Sequence, residues 1–196
     1  MLKLRAFLAL GVSMAACLLV SPLHAADSVE NFYKGSVVRV VVPFAPGGSY
    51  DRYAQLVARH LGKQIPGTPN VVLAHLPGAG GLNATNQLYN VGPFEGKTIG
   101  ILPQGTALLQ AIKDKNVAYD ATKFHWLGSV YDTVSVVVTW HASNTKTLAD
   151  AKSRETLLGG LGAGTASAYV PLILNDVMGT KFKVINGYNG GSASNG

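Results

Sequence analysis

The chain contains a single cysteine, Cys17, in 196 residues. One thiol excludes a disulfide framework and any multi-cysteine zinc or iron–sulfur site. Charge is scarce as well: Asp, Glu, Lys and Arg make up 13% of the chain, about half of the usual ~25%. The basic residues are scattered rather than clustered, so nucleic acid is excluded as an expected partner. No segment after residue 26 sustains the ~18 apolar residues from which a membrane span is read. Nor is there a Gly-x-Ser-x-Gly nucleophile elbow. His60, His75, His125 and His141 share no metal-ligand spacing with each other or with acidic pairs, and each reads as a surface or hydrogen-bonded structural histidine. No catalytic residue, metal ligand or cofactor is therefore expected. What the chain does have is apolar residues, 47% of the total, and 23 glycines. The first excludes disorder by composition; the second, without a fixed period, excludes a collagen-like chain.

The N-terminal stretch is organised differently from the rest. Lys3 and Arg5 precede an uncharged run from Ala6 to Val20, and Ser21-Pro22-Leu23-His24-Ala25-Ala26 closes it with small residues. That is the layout of a secretory signal peptide, with cleavage after Ala25 or Ala26. The run is about 15 residues, short of the ~20 of a spanning helix. A membrane anchor is the alternative, as is a lipoprotein signal at Met14-Ala15-Ala16-Cys17, although Leu18-Leu19-Val20 continues the apolar run past the cysteine. Removing residues 1–26 takes Lys3 and Arg5 from the 16 basic residues and leaves the 10 acidic ones, a net charge of +4. This mild positive balance suits an anionic small ligand.

Strands and helices then alternate. Val37–Phe44 is β-branched and predicts a strand buried on both faces. The turn cluster Ala45–Ser49 leads into a helix over Tyr50–Leu61, with Ser49 as N-cap, Asp51 in the first turn and Gly62 as the stop. The pattern recurs as strand Asn70–Leu76, turn Pro77–Gly81 and helix Leu82–Tyr89. It recurs again as strand Thr98–Leu102, turn Pro103–Gly105 and a helix from Thr106 to about Lys113. Trp126–Val130 and Val134–Trp140 read as strands without a helix between them, with a domain crossover near Tyr131–Val134. A short helix over Leu148–Lys152, a strand over Leu157–Leu161, a turn over Gly162–Ser167, a helix from about Ala168 to Met178 and a strand over Lys181–Ile185 complete the pattern. Alternation of this kind implies an α/β fold with a largely parallel sheet.

Three Gly-rich turns each follow a strand and open a helix: Gly47-Gly48-Ser49, Gly78-Ala79-Gly80-Gly81 and Gly162-Ala163-Gly164-Thr165. In a parallel sheet such turns lie at the carboxyl ends of the strands, where α/β folds bind ligands. Glycine allows close backbone approach, and a helix N-terminus offers free N–H donors and partial positive charge, so an anion is the expected guest. Ser49, Thr165 and Ser167 add hydroxyls. Any one of these turns alone is as well read as an ordinary tight turn. Gly96-Lys97-Thr98 is no phosphate-binding loop, because Val91 stands where that motif needs glycine and Thr98 opens a strand rather than a helix.

Pro43-Phe44-Ala45-Pro46-Gly47-Gly48-Ser49-Tyr50-Asp51 followed by Pro77-Gly78-Ala79-Gly80-Gly81 resembles the tripartite tricarboxylate transporter receptors, the Bug family of periplasmic solute-binding proteins. Gly179-Thr180-Lys181-Phe182-Lys183-Val184 leading to Gly187-Tyr188-Asn189-Gly190-Gly191 is similar to the Tyr-x-Gly-Gly stretch of that family. The resemblance runs from about Ser36 to Gly191. It implies a periplasmic-binding-protein-like, two-domain α/β clamshell with mostly parallel sheets. Residues 1–26 are then the signal peptide, 27–132 the first domain and 133–196 an incomplete second domain.

The resemblance also implies a small carboxylate as ligand, held between the domains with bridging waters. Pro46, Gly47, Gly48, Ser49 and Asp51 of the first loop, and Gly78, Ala79, Gly80, Gly81 and Asn83 of the second, carry over as its contacts. Gly164, Thr165 and Ser167 add the second domain's share. The implied partners are the integral membrane subunits of the transporter, the implied location the periplasm and the implied state a monomer without cofactor. Two departures stand out. Tyr50 is bulkier than the small residue expected there, which narrows the ligand set. The chain also stops before the family's second domain is complete, as a fragment or a prematurely ended gene product does, so lowered stability and weakened binding are expected. A non-functional remnant and an α/β enzyme acting on an anionic substrate are the alternative readings.

Overall fold

The computed structural model describes residues 29–92, 95–188 and 190. The signal-peptide region and its cleavage sites, Asn189 and the final residues 191–196 lie outside the described residues. Among the described residues the strands form two groups, each parallel throughout.

In the first group, β1 (Val37–Val42) is central, flanked by β2 (Asn70–His75) and β3 (Thr98–Gly100). The registers pair Val40 with Leu73 and with Ile99, and Val42 with His75. Helix α1 (Ser49–Gln64) connects β1 to β2, and α2 (Leu82–Asn90) connects β2 to β3. A strand walled on both faces must be apolar throughout. β1 obeys this over its second half, where Val40, Val41 and Val42 are all buried. Its first half is covered on one face only, since Val37 and Arg39 are exposed while Val38 is buried.

Two apolar clusters hold this unit. Val40, Val42 and Ala54 of α1 form one, closed by Tyr50, Val71, Leu73 and Ile101. Leu82, Leu109 of α3 (Thr106–Ala111), Tyr119 and Ala121 form the other. The connection after α3 is clamped by polar side chains: Asn86 donates to the Asn116 carbonyl and accepts from the Ala118 N–H, and the Tyr119 hydroxyl donates to the Thr106 carbonyl.

The second group is the two-stranded sheet of β4 (Thr156–Gly160) and β5 (Phe182–Asn186), joined by α5 (Ala166–Met178). Helix α4 (Leu148–Ser153) precedes it, opened by a capping box in which Thr147 and Asp150 satisfy each other's backbone N–H groups. Gly179, in the left-handed conformation, closes α5. Among the described residues no helix is long and apolar enough to cross a membrane.

The structure corrects three expectations. Trp126–Val130 and Val134–Trp140 are not strands: every residue from 125 to 140 is exposed and none is paired in a ladder. Their β-branched composition encodes strand propensity, but propensity needs a neighbour to bond to, and the described residues supply none. Gly62 does not stop α1, which runs on to Gln64. A Cβ at Gly62 would lie 2.6 Å from the Pro69 carbonyl oxygen, so this glycine is there for close packing. The residue capping α1 is Gly48 rather than Ser49, and it makes no side-chain cap bond.

Candidate functional site

The carboxyl ends of β1 and β2 are neighbours in the sheet, so the loops that follow them emerge side by side. β4 delivers the turn 161–165 and β5 delivers residues 187–188. These segments converge on a cavity of about 270 Å³ lined by Phe44, Gly78, Ala79, Gly80, Leu161, Gly162, Asn186, Gly187 and Tyr188. Among the described residues no charged side chain lines it, and Asn186 and Tyr188 bring the polar side chains.

At the 78–80 and 161–162 loops part of the lining is backbone, because side chains have been left out there. Gly80 (φ +65°) and Gly162 (φ +132°) both occupy conformations that disfavour a Cβ. A Cβ on Gly80 would stand 2.7 Å from the Gly162 carbonyl carbon, and one on Gly162 would stand 2.5 Å from the Gly80 nitrogen. A second backbone contact runs beside the first: the Gly105 N–H donates to the Gly164 carbonyl at 3.1 Å. Gly190 packs on Ala45, at the head of the first loop. Among the described residues no protein acceptor takes the N–H of Ala79 or Gly162. Main-chain donors of this kind, in residues that line a cavity, suit a small anion that needs several modest hydrogen bonds.

The residues expected from the sequence divide into three groups. Gly78, Ala79 and Gly80 line the cavity. Gly81, Asn83, Gly164, Thr165 and Ser167 stand next to it. A Cβ at Gly78 would meet the Asn83 amide at 2.5 Å. The Thr165 hydroxyl donates to the Gly162 carbonyl at 2.7 Å, and Ser167 Oγ accepts from the Leu161 N–H at 3.1 Å. These hydroxyls therefore shape the turn and are already engaged within it. Pro46, Gly47, Gly48, Ser49 and Asp51 lie outside the cavity lining.

Asp51 is 3% exposed and fully used. Its Oδ2 accepts from the Gly47 N–H at 2.8 Å and from Gln55 Nε2 at 2.9 Å, while Oδ1 lies 2.7 Å from His75 Nε2. The Gly47 N–H, more than any other group, holds this carboxyl below the usual aspartate range, against the opposing effect of burial and with help from His75 and Gln55. Tyr50 leaves the cavity alone. Its ring packs on the β1 core and on Phe44, with centroids 4.6 Å apart, and burial pushes its hydroxyl pKa upward.

Phe44, Leu161, Asn186, Gly187 and Tyr188 were not among the expected contacts. Gly187 and Tyr188 carried a signal, since they open the Tyr-x-Gly-Gly stretch. Phe44 stood at the end of the first strand and inside the Pro43–Asp51 motif, and Asn186 fell just past the expected strand Lys181–Ile185. Among the described residues no group of three or more His, Cys, Asp or Glu side chains is placed to hold a metal ion.

No family model matches the chain. It is 28% identical over 183 residues to the UPF0065 protein in the TAR-I ttuE-ttuC' intergenic region of Agrobacterium vitis, covering 90% of this chain and 51% of that protein. Among solved structures it is similar to the periplasmic binding protein BugD, with a TM-score of 0.56 at 21% identity, covering 82% of this chain and 54% of that one. The chain has the fold of the periplasmic solute-binding proteins. The same fold appears in R. palustris Rpa4515 with adipate, with a TM-score of 0.60 at 20% identity, covering 80% of this chain and 54% of that one. The resemblance noted in the loop motifs thus extends to the binding-protein architecture. The chain spans about half the length of the relatives it matches.

Proposed function

We propose that this chain is an exported solute-binding polypeptide of the tripartite tricarboxylate transporter type, and that it binds a small carboxylate in the cavity between the 78–80 and 161–162 loops. One observation carries the reading. Unused backbone N–H groups of Ala79 and Gly162 belong to a cavity that, among the described residues, no charged side chain lines. A carboxylate has about four acceptor sites across two oxygens and is satisfied by such donors. The cavity volume of about 270 Å³ suits a molecule of a few carbons, and the adipate-bound relative carries a ligand of that size and charge.

In this reading Asp51, Gly47, Gly48, Ser49 and Pro46 support the site by shaping the first loop, and Thr165 and Ser167 hold the third. The units divide at 27–132 and 133–196, residues 1–26 direct export to the periplasm, and the chain hands its ligand as a monomer to integral membrane subunits. In this reading it binds without turnover, and among the described residues no charged side chain lines the cavity. A second reading, a chain of the same descent that no longer binds, is favoured by the uncovered apolar residues between 126 and 140, among them Leu127 and Val134, 79% and 87% exposed.

The experiment that separates the two is a thermal melt of the purified chain against a panel of mono-, di- and tricarboxylates. A ligand at 100 times its dissociation constant adds ~2.7 kcal/mol to the folded state, or roughly 5–10 °C at this chain length. A shift with one member of the panel supports the binding reading. No shift with any member supports the second.

A further inference from the structure

His75 has a role that its isolation in the sequence conceals. It is the last residue of β2, three residues before Gly78 and the cavity-lining turn. Its Nε2 lies 2.7 Å from Oδ1 of Asp51, whose other oxygen receives the Gly47 N–H of the first loop and the Gln55 amide of α1. An ionised carboxylate accepts only, so His75 must present a proton on Nε2. A single buried carboxylate thereby joins three segments: the loop after β1, the first turns of α1 and the end of β2. Main-chain pairing of β1 with β2 runs as far as Val42 and His75 and ends on the bond from the Leu76 N–H to the Val42 carbonyl at 2.8 Å, before either loop begins.

Neither Asp51 nor His75 lines the cavity, so neither touches a molecule bound there. Their effect reaches it through the backbone. Beyond Leu76 the chain turns through Pro77 and Gly78 into the 3₁₀ turn Ala79–Gly81, a segment without side chains large enough to anchor itself. We propose that the Asp51–His75 pair is a positioning device, a tie between the two loops of the first unit that fixes the Gly78–Gly80 backbone in the geometry required to receive an anion. The proposal rests on the binding reading above for its consequence, but the tie itself is a property of the empty protein.

Both levels are tested on the full chain. Amide exchange in the absence of ligand reads the tie directly. His75→Phe removes the donor, and the expected result is faster exchange at Gly47 and at residues 78–80, with the β1 and β3 amides unchanged. His75→Gln places an amide donor in reach of the same carboxylate and is expected to restore the slow exchange. Unchanged exchange at Gly47 and at 78–80 in a folded His75→Phe protein overturns the proposal. So does uniform acceleration across the sheet in both variants, which is the mark of general destabilisation.

The second arm titrates the same proteins with succinate, glutarate and adipate. For any of these that binds the parent chain, His75→Phe is expected to weaken affinity about tenfold, the scale of one lost charge-assisted hydrogen bond. His75→Gln is expected to stay close to the parent. Parent-level affinity in His75→Phe overturns the positioning role. Failure of the parent chain to bind any carboxylate counts against the binding reading, while the exchange data still decide the tie.

Discussion

Gly80 and Gly162 meet backbone to backbone across the cavity, so closely that a Cβ on either would fall within 2.7 Å of a main-chain atom of the other. Two loops distant in sequence are thus held together by the absence of side chains. Both residues also have positive φ, +65° and +132°, a region that costs an L-residue roughly 1–2 kcal/mol. Gly162→Ala is therefore expected to destabilise the chain by about 1–3 kcal/mol and to abolish binding of any carboxylate that stabilises the parent. Denaturant unfolding measures the first effect and calorimetric titration the second. A Gly162→Ala protein with parental stability and affinity would show that the contact does not shape the site.

Asp51 predicts the acid behaviour of the fold. Its pKa is held low in the folded chain, chiefly by the Gly47 N–H. A depressed folded pKa adds stability above the ordinary aspartate value of about 3.9, and this contribution disappears as pH falls through the folded pKa. Asp51→Asn lacks this dependence. The difference in melting midpoint between parent and variant is expected to be largest near neutral pH and to shrink steadily below about pH 4. A difference that stays constant across that window would contradict the role assigned to the carboxylate.

Phe44 is 3% exposed, packs on Tyr50 and forms part of the cavity wall. Phe44→Ala is expected to cost about 3–5 kcal/mol, the range for a buried aromatic truncated to alanine. The milder Phe44→Leu leaves room in the wall and is expected to shift preference toward a longer dicarboxylate within the succinate-to-adipate series. Competition between the two ends of the series measures the shift.

Residues 125–140 predict solution behaviour. Val134, Val136, Val138 and Trp140 alternate along an extended segment and are all at least 73% exposed. Uncharged β-prone segments with unpaired backbone promote association. The double substitution Val136→Lys with Val138→Lys is expected to lower concentration-dependent light scattering without changing the circular dichroism spectrum. Equal scattering in parent and variant would mean that this segment is not the source.

The parts of the fold legible in the sequence are those set by local chemistry. An apolar β-branched run ending in Pro-Phe and a glycine turn identified β1 and its loop. The same logic located the turns at 78–81 and 162–165, because glycine after a strand and before a helix has few other uses. The strand assignments at 126–130 and 134–140 failed because they depended on a pairing partner, which no local pattern reveals. Gly62 misled for a related reason, since its close approach to Pro69 is a tertiary contact. Phe44, Asn186 and His75 were invisible as site residues because each acquires its role from a neighbour far away in sequence: Asn186 from the turn after β4, His75 from Asp51.

The central claim is that an anion is held by loop backbone between the 78–80 and 161–162 segments. Amide chemical shifts, followed while the purified chain is titrated with the carboxylate that best raises its melting midpoint, test this most directly. The account predicts saturating shifts concentrated at Ala79 and Gly162, with the amides of α4 and of the 116–118 connection unmoved. Saturating shifts centred elsewhere, with those two amides unchanged, would contradict it.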